Sequence, residues 1–370
     1  MENKSKDVKR IVIKIGTSTL TNENTSLNIA KIEHVIDQMA HLKKNGYEII
    51  FVSSGAVGSG NGRLGITKNT SVAQKQASAA VGQVLLMQLY MQLFEKHDIL
   101  AGQILLTKDD VTNRKRNLNA KNAINELLKM DVVPIINEND STVVDEIKVG
   151  DNDNLSALVA ILSESDLLII LSDIDGIYTD NPTKNKDAIF LDVIDKVDKQ
   201  IMSYAKDKGS EFAVGGMITK LESAKKVTKA GIHMIIANGS RYDILIDIVN
   251  NEFKGSLFLA DDSKLVAKKK WLLLSSSAKG DIVVDRGAAQ ALKERHSSLL
   301  PIGITEVKGL FDFGDVVSIV DEDANLIARG ITNYNSHDID EIKQTKNVNN
   351  NYPYETVVHT DNLVLVEEDA

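Results

Sequence analysis

NENDSTVVDEIKVGDNDNLSALVA, residues 137–160, opens at the end of an apolar run (Val132 to Ile136) and closes as the first turns of an apolar-faced helix. Between Asn137 and Asn154 lie six carboxylates and four asparagines in eighteen residues. A turn needs one or two such residues, so this density points to a polar site where a strand hands over to a helix. In open α/β sheets that place, the carboxyl edge, is where ligands bind. A solvated acidic loop is the plainer reading of the same residues.

The runs on either side of this stretch set the fold class. Arg10 to Leu20 (RIVIKIGTSTL) reads as a β-branched strand that breaks at Gly16, and Leu27 to Lys44 carries Ile29, Ile32, Ile36 and Met39 at helical spacing. A strand at Tyr47 to Val52 runs into SSGAVGSGNGRLG, and a long apolar helix is expected over Val72 to Glu95. Ile99 to Thr107 is strand-like and Leu118 to Met130 helical. Beyond the opening stretch come a helix at Leu155 to Leu162, an apolar strand at Asp166 to Ser172 and a helix around Lys199 to Lys206. The pair Gly215-Gly216 then opens a helix over Met217 to Ala230, followed by a strand at His233 to Ala237 and a helix at Tyr242 to Asn250. Strands alternating with helices in this way predict an α/β fold, a mostly parallel sheet sandwiched by helices, over roughly the first 260 residues.

The pattern changes at DDSKLVAKKK (261–270), a charged linker. Short strand-like runs follow at Trp271 to Leu274, Ile282 to Val284, Ile302 to Val307, Val316 to Val320 and Leu326 to Ala328, with one helix at Ala288 to Arg295. They predict a small β-rich domain, closed by a last apolar run at Leu363 to Val366.

Composition narrows the function classes. The chain has 370 residues, 43% of them hydrophobic and 26% charged, enough for two domains with their own cores. A formal net charge of -9 argues against broad attraction to nucleic acid or to an anionic membrane. The absence of cysteine removes disulfides, thiolate metal sites and cysteine nucleophiles together. The N-terminus has no signal-peptide pattern, no run is expected to span a membrane, and a cytoplasmic protein is the expectation.

Three features look phosphate-directed, each with a plain counterpart. Lys14 sits in an otherwise apolar strand, where it costs desolvation unless it meets an anion; an edge lysine facing water is the alternative. Ser53-Ser54-Gly55 ends the second strand with free N–H groups and hydroxyls, or is an ordinary serine turn. Gly215-Gly216-Met217 leads into a helix bearing Lys220, a polyphosphate arrangement or simply a turn and a surface lysine. The GxGxxG match at Gly60, Gly62 and Gly65 lacks an acid about twenty residues on, so it reads as a flexible glycine-rich loop rather than a dinucleotide site. Two lysines, a helix N-terminus and an acidic loop converging on one sheet edge form the set that phosphoryl transfer needs.

These residues carry a resemblance. VIKIGTSTL (12–20), SSGAV (53–57), INENDSTVVDEIKVGDNDNLSALVA (136–160), LSDIDGIYTDNP (171–182) and GGMITK (215–220) resemble the amino acid kinase family, and within it the branch of the glutamate 5-kinases. GDIVVDRGA (280–288) and ARGITNYNS (328–336) are similar to a PUA domain. The resemblance implies an amino acid kinase fold over residues 1–262, a linker at 263–270 and a PUA-like domain with a C-terminal tail at 271–370. It also implies transfer of the ATP γ-phosphoryl group to the side-chain carboxylate of L-glutamate, the first step of proline biosynthesis. On that basis Lys14 and Lys220 would contact the phosphoryl group of ATP, and Asp153 would orient the two lysines. Ser54, Asp140 and Asn152 would hold glutamate, with Asp151 nearby. Ser172, Asp173, Val214, Gly215, Gly216, Met217, Ile218, Thr219 and Lys220 would hold ATP, with Mg2+ on its phosphates and no dedicated metal ligands. Val214 stands where the family often has a threonine, and Ser172 keeps the hydroxyl of another.

Proline as a feedback inhibitor, acting near the glutamate site and the segment Gly58 to Gln76, and a dimer or tetramer are further implications. RNA binding is not expected of the second domain, because residues 266–341 hold nine basic against twelve acidic residues. The rivals are an RNA-binding protein with a degenerate kinase domain, and a kinase of the same fold acting on aspartate, N-acetylglutamate, carbamate or a nucleotide.

Overall fold

The computed structural model describes residues 8–20, 27–67, 71–107, 110, 114–142, 152–180, 182, 185–205, 213–261, 278–295, 297–344, 352 and 354–366. The chain divides into two units, Met1–Asp262 and Ser263–Ala370. In chain order the first unit begins β1 (Arg10–Ile15), α1 (Thr17–Leu20), α2 (Ile29–Lys44), β2 (Glu48–Val52), α3 (Ala56–Leu64), α4 (Val72–Glu95) and β3 (Ala101–Leu106). It continues with α5 (Arg114–Lys129), β4 (Val133–Glu138), α6 (Asn152–Leu162), β5 (Leu167–Ser172), β6 (Ile177–Tyr178), β7 (Phe190–Leu191) and β8 (Val193–Ile194). It ends with α7 (Lys199–Tyr204), α8 (Ala213–Lys229), β9 (His233–Asn238), α9 (Ile244–Val249) and β10 (Gly255–Phe258).

Eight strands form one sheet in the order β3-β4-β2-β1-β5-β9-β10-β8. All its pairings are parallel except β10 against β9. The strands are rich in Val, Ile and Leu because both faces are covered, and the two-residue period of a strand splits their side chains cleanly. Ile11, Ile13 and Ile15 join one core with residues of α2 and α4. Val12 joins the other, with Ala157 of α6 and Leu221 of α8. Lys14, two residues after Val12, therefore points to the face where α6 and α8 lie. From β1 the chain passes to β2 on one side and reaches β5 on the other only after β3 and β4. The carboxyl ends around β1 are thus a topological switch point.

The segment read as a flexible glycine-rich loop is a helix, α3, with Gly55 as its N-cap at φ 88°. Glycines inside a helix cost roughly 0.5–1 kcal/mol each relative to alanine, so something must offset Gly58, Gly60 and Gly62. A Cβ on Gly60 would lie 1.8 Å from the Ser78 carbonyl oxygen, and one on Gly82 1.8 Å from that of Ala56. The helices α3 and α4 cross backbone to backbone, and glycine at these two points is what permits it. By length and composition α4 could cross a membrane, which the run lengths had not suggested. Its Leu86, Tyr90 and Phe94 are buried in the first core, the place of a core helix.

The second unit holds β11 (Gly280–Val284), α10 (Arg286–Arg295), β12 (Ile304–Gly309), β13 (Val316–Val320), β14 (Leu326–Ile331), α11 (Ser336–Ile342) and β15 (Leu363–Leu365). Its strands form a separate sheet, β12-β11-β13-β14-β15, over a core that includes Ile282, Val317, Ile319 and Ile339. The β-rich domain and the closing strand were expected; α11, capped by Asn335, was not. The expected strand at Trp271 to Leu274 lies outside the described residues.

The close crossing makes a prediction. Gly82→Ala should destabilise the protein by about 3 kcal/mol, the upper end of overpacking costs. Gly58 has open space around it, so Gly58→Ala should instead add about 0.5–1 kcal/mol. Denaturant unfolding of the two variants checks this, and equal behaviour would contradict the crossing as the reason for the glycines.

Candidate active site

Three charged side chains meet at the switch point. Lys14 comes from β1, Asp153 from the first turn of α6, and Lys220 from the second turn of α8. Lys14 Nζ lies 2.5 Å from Asp153 Oδ1, and Lys220 Nζ lies 3.1 Å from Asp153 Oδ2. Asp153 is 1% exposed and Lys14 5%. A buried lysine of this kind is stable only beside an opposite charge. The alternative of an edge lysine facing water is removed.

Burial alone would raise the Asp153 carboxyl, but the two ammonium groups outweigh it and hold the group below the usual carboxylate range. Burial lowers Lys14, reinforced by the positive charge of Lys220 and opposed by Asp153. Two cations share one anion in a nearly dry place, leaving an excess of positive charge suited to a polyanion. The Thr219 hydroxyl lies 3.0 Å from both Asp153 Oδ2 and the Gly216 carbonyl, and Lys220 Nζ also donates to that carbonyl at 3.2 Å.

The glycine pair does not open its helix. α8 starts at Ala213, so Gly215, Gly216 and Met217 lie within it, and its free N–H groups are those of residues 213–216. The helix begins earlier than the glycines suggested because two glycines weaken a helix without ending it. Val214 and Gly215 lie in this first turn, and Ile218 and Thr219 in the next. Across the sheet edge, Ser172 ends β5 and its hydroxyl donates to Asp173 Oδ1 at 3.0 Å, with Asp173 exposed. The turn after them is held by Asp175. Hydrogen bonds from Lys254 and Arg241 keep its carboxyl low, at about 2.

On the other side of the lysines a second, uncharged cluster forms. β2 and β4 are neighbours, and Ser53 N donates to the Ile136 carbonyl at 2.8 Å, which sets Ser53 and Ser54 beside Asn137. Asn152 Nδ2 reaches the Ser53 carbonyl at 2.6 Å, Ser54 Oγ at 3.1 Å and Asn137 Oδ1 at 2.9 Å. Asp140 lies in the turn after β4, half-buried, and its carboxylate has no partner among the described residues. Burial pushes its pKa up to about 6.

Asn152 and Asp153 are thus brought together with Ser54, Lys14 and Lys220, while Asp151 and residues 143–150 lie outside the described residues. Asn154 is the third residue of α6, and its Oδ1 accepts from Lys226. Asn137 and Gln83 were not anticipated. Asn137 stood in plain view at the head of the polar stretch, whereas nothing in the sequence sets Gln83 apart from other helix glutamines. Among the described residues no group of three or more His, Asp or Glu is arranged to hold a metal ion.

The model of the amino acid kinase family matches residues 9–238, and that of the PUA domain matches residues 280–352. The chain belongs to the amino acid kinase family. Glutamate 5-kinase of Caldanaerobacter subterraneus subsp. tengcongensis is 43% identical over 364 residues, covering 97% of this chain and 98% of that protein. Glutamate 5-kinase of Carboxydothermus hydrogenoformans is 44% identical over 369 residues, covering 98% and 99%. Among solved structures, carbamate kinase from Giardia lamblia bound to AMP-PNP shares the fold. Its TM-score is 0.51 at 20% identity, over 69% of this chain and 99% of that one.

Asp153→Asn keeps the shape of the side chain and removes the one anion between two lysines. Stability at pH 7 is expected to fall by roughly 3 kcal/mol, as when a buried ion pair loses one partner, and turnover by at least about 100-fold. Thermal unfolding and steady-state rates check both. A stable, active variant would show that the lysines do not depend on this carboxylate.

Proposed function

We infer that the chain phosphorylates the side-chain carboxylate of L-glutamate with ATP, giving L-glutamyl 5-phosphate, the first step of proline biosynthesis. The observation that carries the chemistry is the pair of lysines held on the two oxygens of one buried carboxylate. The substrate comes from the relatives, which match over nearly the full length and bear the name glutamate 5-kinase.

In this mechanism a glutamate carboxylate oxygen forms a bond to the γ-phosphorus while the bond from that phosphorus to the bridging oxygen of ADP breaks, and ADP leaves with the electron pair. The acceptor carboxylate is already ionised at neutral pH, so no general base is required. Lys14 and Lys220 offset the charge that spreads over the moving phosphoryl oxygens, and Asp153 holds them apart and aimed. The first turn of α8 offers unpaired N–H groups to the nucleotide phosphates. Mg2+ would be held by those phosphates rather than by dedicated side chains, and would neutralise part of their charge.

Asp140, a carboxylate without a partner among the described residues, and Asn152 grip the α-amino end of glutamate, with Ser54 beside them and Asp151 nearby. Ser172 and Asp173 border the nucleotide. On this proposal residues 1–262 are the catalytic domain, 263–270 the linker, and 271–370 the PUA-like domain without an RNA role. Proline as feedback inhibitor and a homo-oligomeric state belong to the same proposal.

The direct test is ADP release across a panel of acceptors with Mg2+, the product trapped as a hydroxamate by hydroxylamine. Glutamate is expected to exceed aspartate and N-acetylglutamate by a wide margin, and the reverse order overturns the assignment. Lys220→Ala should lower kcat by at least about 100-fold with little change in the glutamate KM.

Asp140 gives a pH test with a definite sign. Its ionised form binds the substrate ammonium, so the glutamate KM should rise as pH falls from 7 toward 5, by up to about tenfold per unit. Asp140→Asn should have a high KM that is flat over this range. The folded pKa is raised, so the ionised form strains the fold: the penalty grows from pH 4 to pH 6 and stays above that. Asp140→Asn should therefore melt higher than the parent at pH 7, with the difference shrinking toward pH 4. A pH-independent KM in the parent would sink the ammonium contact.

A further inference from the structure

We propose that Gln83 and Asn137 are positioning residues that decide which end of the Asn152 amide faces the substrate, and thereby select a ligand with a free ammonium group. The proposal rests on the reading of Asn152 as a glutamate contact.

An amide has two chemically opposite ends on one planar group, and rotation by 180° exchanges a donor for an acceptor. Every contact that Asn152 makes with the described residues goes through Nδ2: to the Ser53 carbonyl, Ser54 Oγ and Asn137 Oδ1. Oδ1 has no partner among the described residues. The end left for a ligand is an acceptor, which takes the α-ammonium of an amino acid and not its carboxylate.

Three acceptors fix this orientation, and one of them has an orientation of its own. Asn137 is 1% exposed at the end of β4. Its Oδ1 accepts from Glu138 N at 2.9 Å as well as from Asn152, and its Nδ2 donates to Gln83 Oε1 at 2.7 Å. Turned over, Asn137 would set its NH2 group against the Glu138 N–H and against Asn152 Nδ2, donor against donor, while its oxygen met Gln83. Gln83 supplies the acceptor that makes the observed orientation the favoured one.

Gln83 does this at a cost to the fold. It is 8% exposed, and its Nε2 is buried without a hydrogen-bond partner. An apolar side chain of the same length would remove this unmet donor and leave Asn137 Nδ2 unmet in its place, so the two changes offset each other. Stability therefore gives no reason for glutamine here, whereas the orientation of Asn137 does. The neighbouring residue is Gly82, where α4 meets the backbone of α3, and that close approach carries Gln83 to the end of β4. Two turns further along the same helix, Tyr90 OH lies 2.9 Å from Ser53 Oγ. One helix thus supports two of the residues whose oxygens hold Asn152.

The experiment compares Gln83→Met and Gln83→Glu in the full-length protein. Met keeps the volume and removes the acceptor; Glu keeps an acceptor oxygen whether ionised or not. Gln83→Met should raise the glutamate KM about tenfold or more, leave the ATP KM within about twofold and kcat within about threefold, and melt no lower than the parent. Gln83→Glu should recover most of the KM loss. Glutarate, which lacks the amino group, should compete poorly with glutamate in the parent, and this discrimination should narrow in Gln83→Met. An unchanged glutamate KM in Gln83→Met, or a parallel fall of kcat and melting temperature, overturns the relay. Asn152→Ala is the control. If it leaves the glutamate KM unaltered, the contact itself is wrong; if it raises KM while Gln83→Met is silent, only the relay is.

Discussion

A carboxylate held between two lysines in a place nearly free of water is the interaction on which the site is built. Each of the three charges would be costly to bury alone, and with two cations to one anion the group remains unbalanced. The imbalance has a direction: burial and Lys220 lower Lys14, against Asp153, and a polyphosphate beside it favours the charged form. The protein can hold this arrangement because the three residues sit on rigid elements. Lys14 is in the central strand, Asp153 in the first turn of α6 and Lys220 in the second turn of α8, two helices packed on the same face. Geometry fixed in advance is what phosphoryl transfer draws on, since the enzyme has little covalent chemistry to perform.

The same sheet explains why much of this was legible in residues alone. A period of two assigns Lys14 to the face opposite Ile13 and Ile15, and an apolar strand with one lysine is an anomaly anyone can see. The crossover pattern places the polar stretch at a carboxyl edge by counting elements. Long-range pairings are a different matter. Nothing local says that Asp153 bridges residues 139 and 67 positions away; the resemblance supplied that. The helix expected from Leu155 begins three residues sooner, at Asn152, so Asn152 and Asp153 are helical and not part of the preceding loop. Asp145, Glu146 and Lys148 had no role in the sequence and lie outside the described residues.

The glycine-rich segment failed for an instructive reason. Propensity sees SGAVGSGNGRLG as flexible, since each glycine adds freedom to the unfolded chain. It cannot see that one of those glycines, Gly60, lies where the backbone of α4 must come close to its own, as Gly82 of α4 does against α3. Tertiary contact overrides local preference here, and the evidence for it is a missing Cβ, which no hydrophobic pattern records. The starting point of α8 is a milder case of the same kind: glycines tolerated inside a helix were mistaken for its boundary.

These two lines meet in α4. Its close crossing with α3 depends on Gly82, and the next residue, Gln83, is the polar side chain that reaches Asn137. A bulkier residue at the crossing would move the helix by an ångström or so and carry Gln83 and Tyr90 away together. The lysine cluster would be untouched, because Asp153 and both lysines are anchored on the other face of the sheet. On the proposed function, acceptor recognition rests on α4 and phosphoryl chemistry on α8, and the two meet at the strand ends and in the first turn of α6. Asn152 and Asp153, adjacent in sequence, are where the two sets touch: one residue faces the α4 network and the next faces the lysines. A single helical step of about 100° between neighbours is enough to send them to different partners. On the proposed function, that is how the first turn of α6 would hold an acceptor and steady the charge on the group it receives.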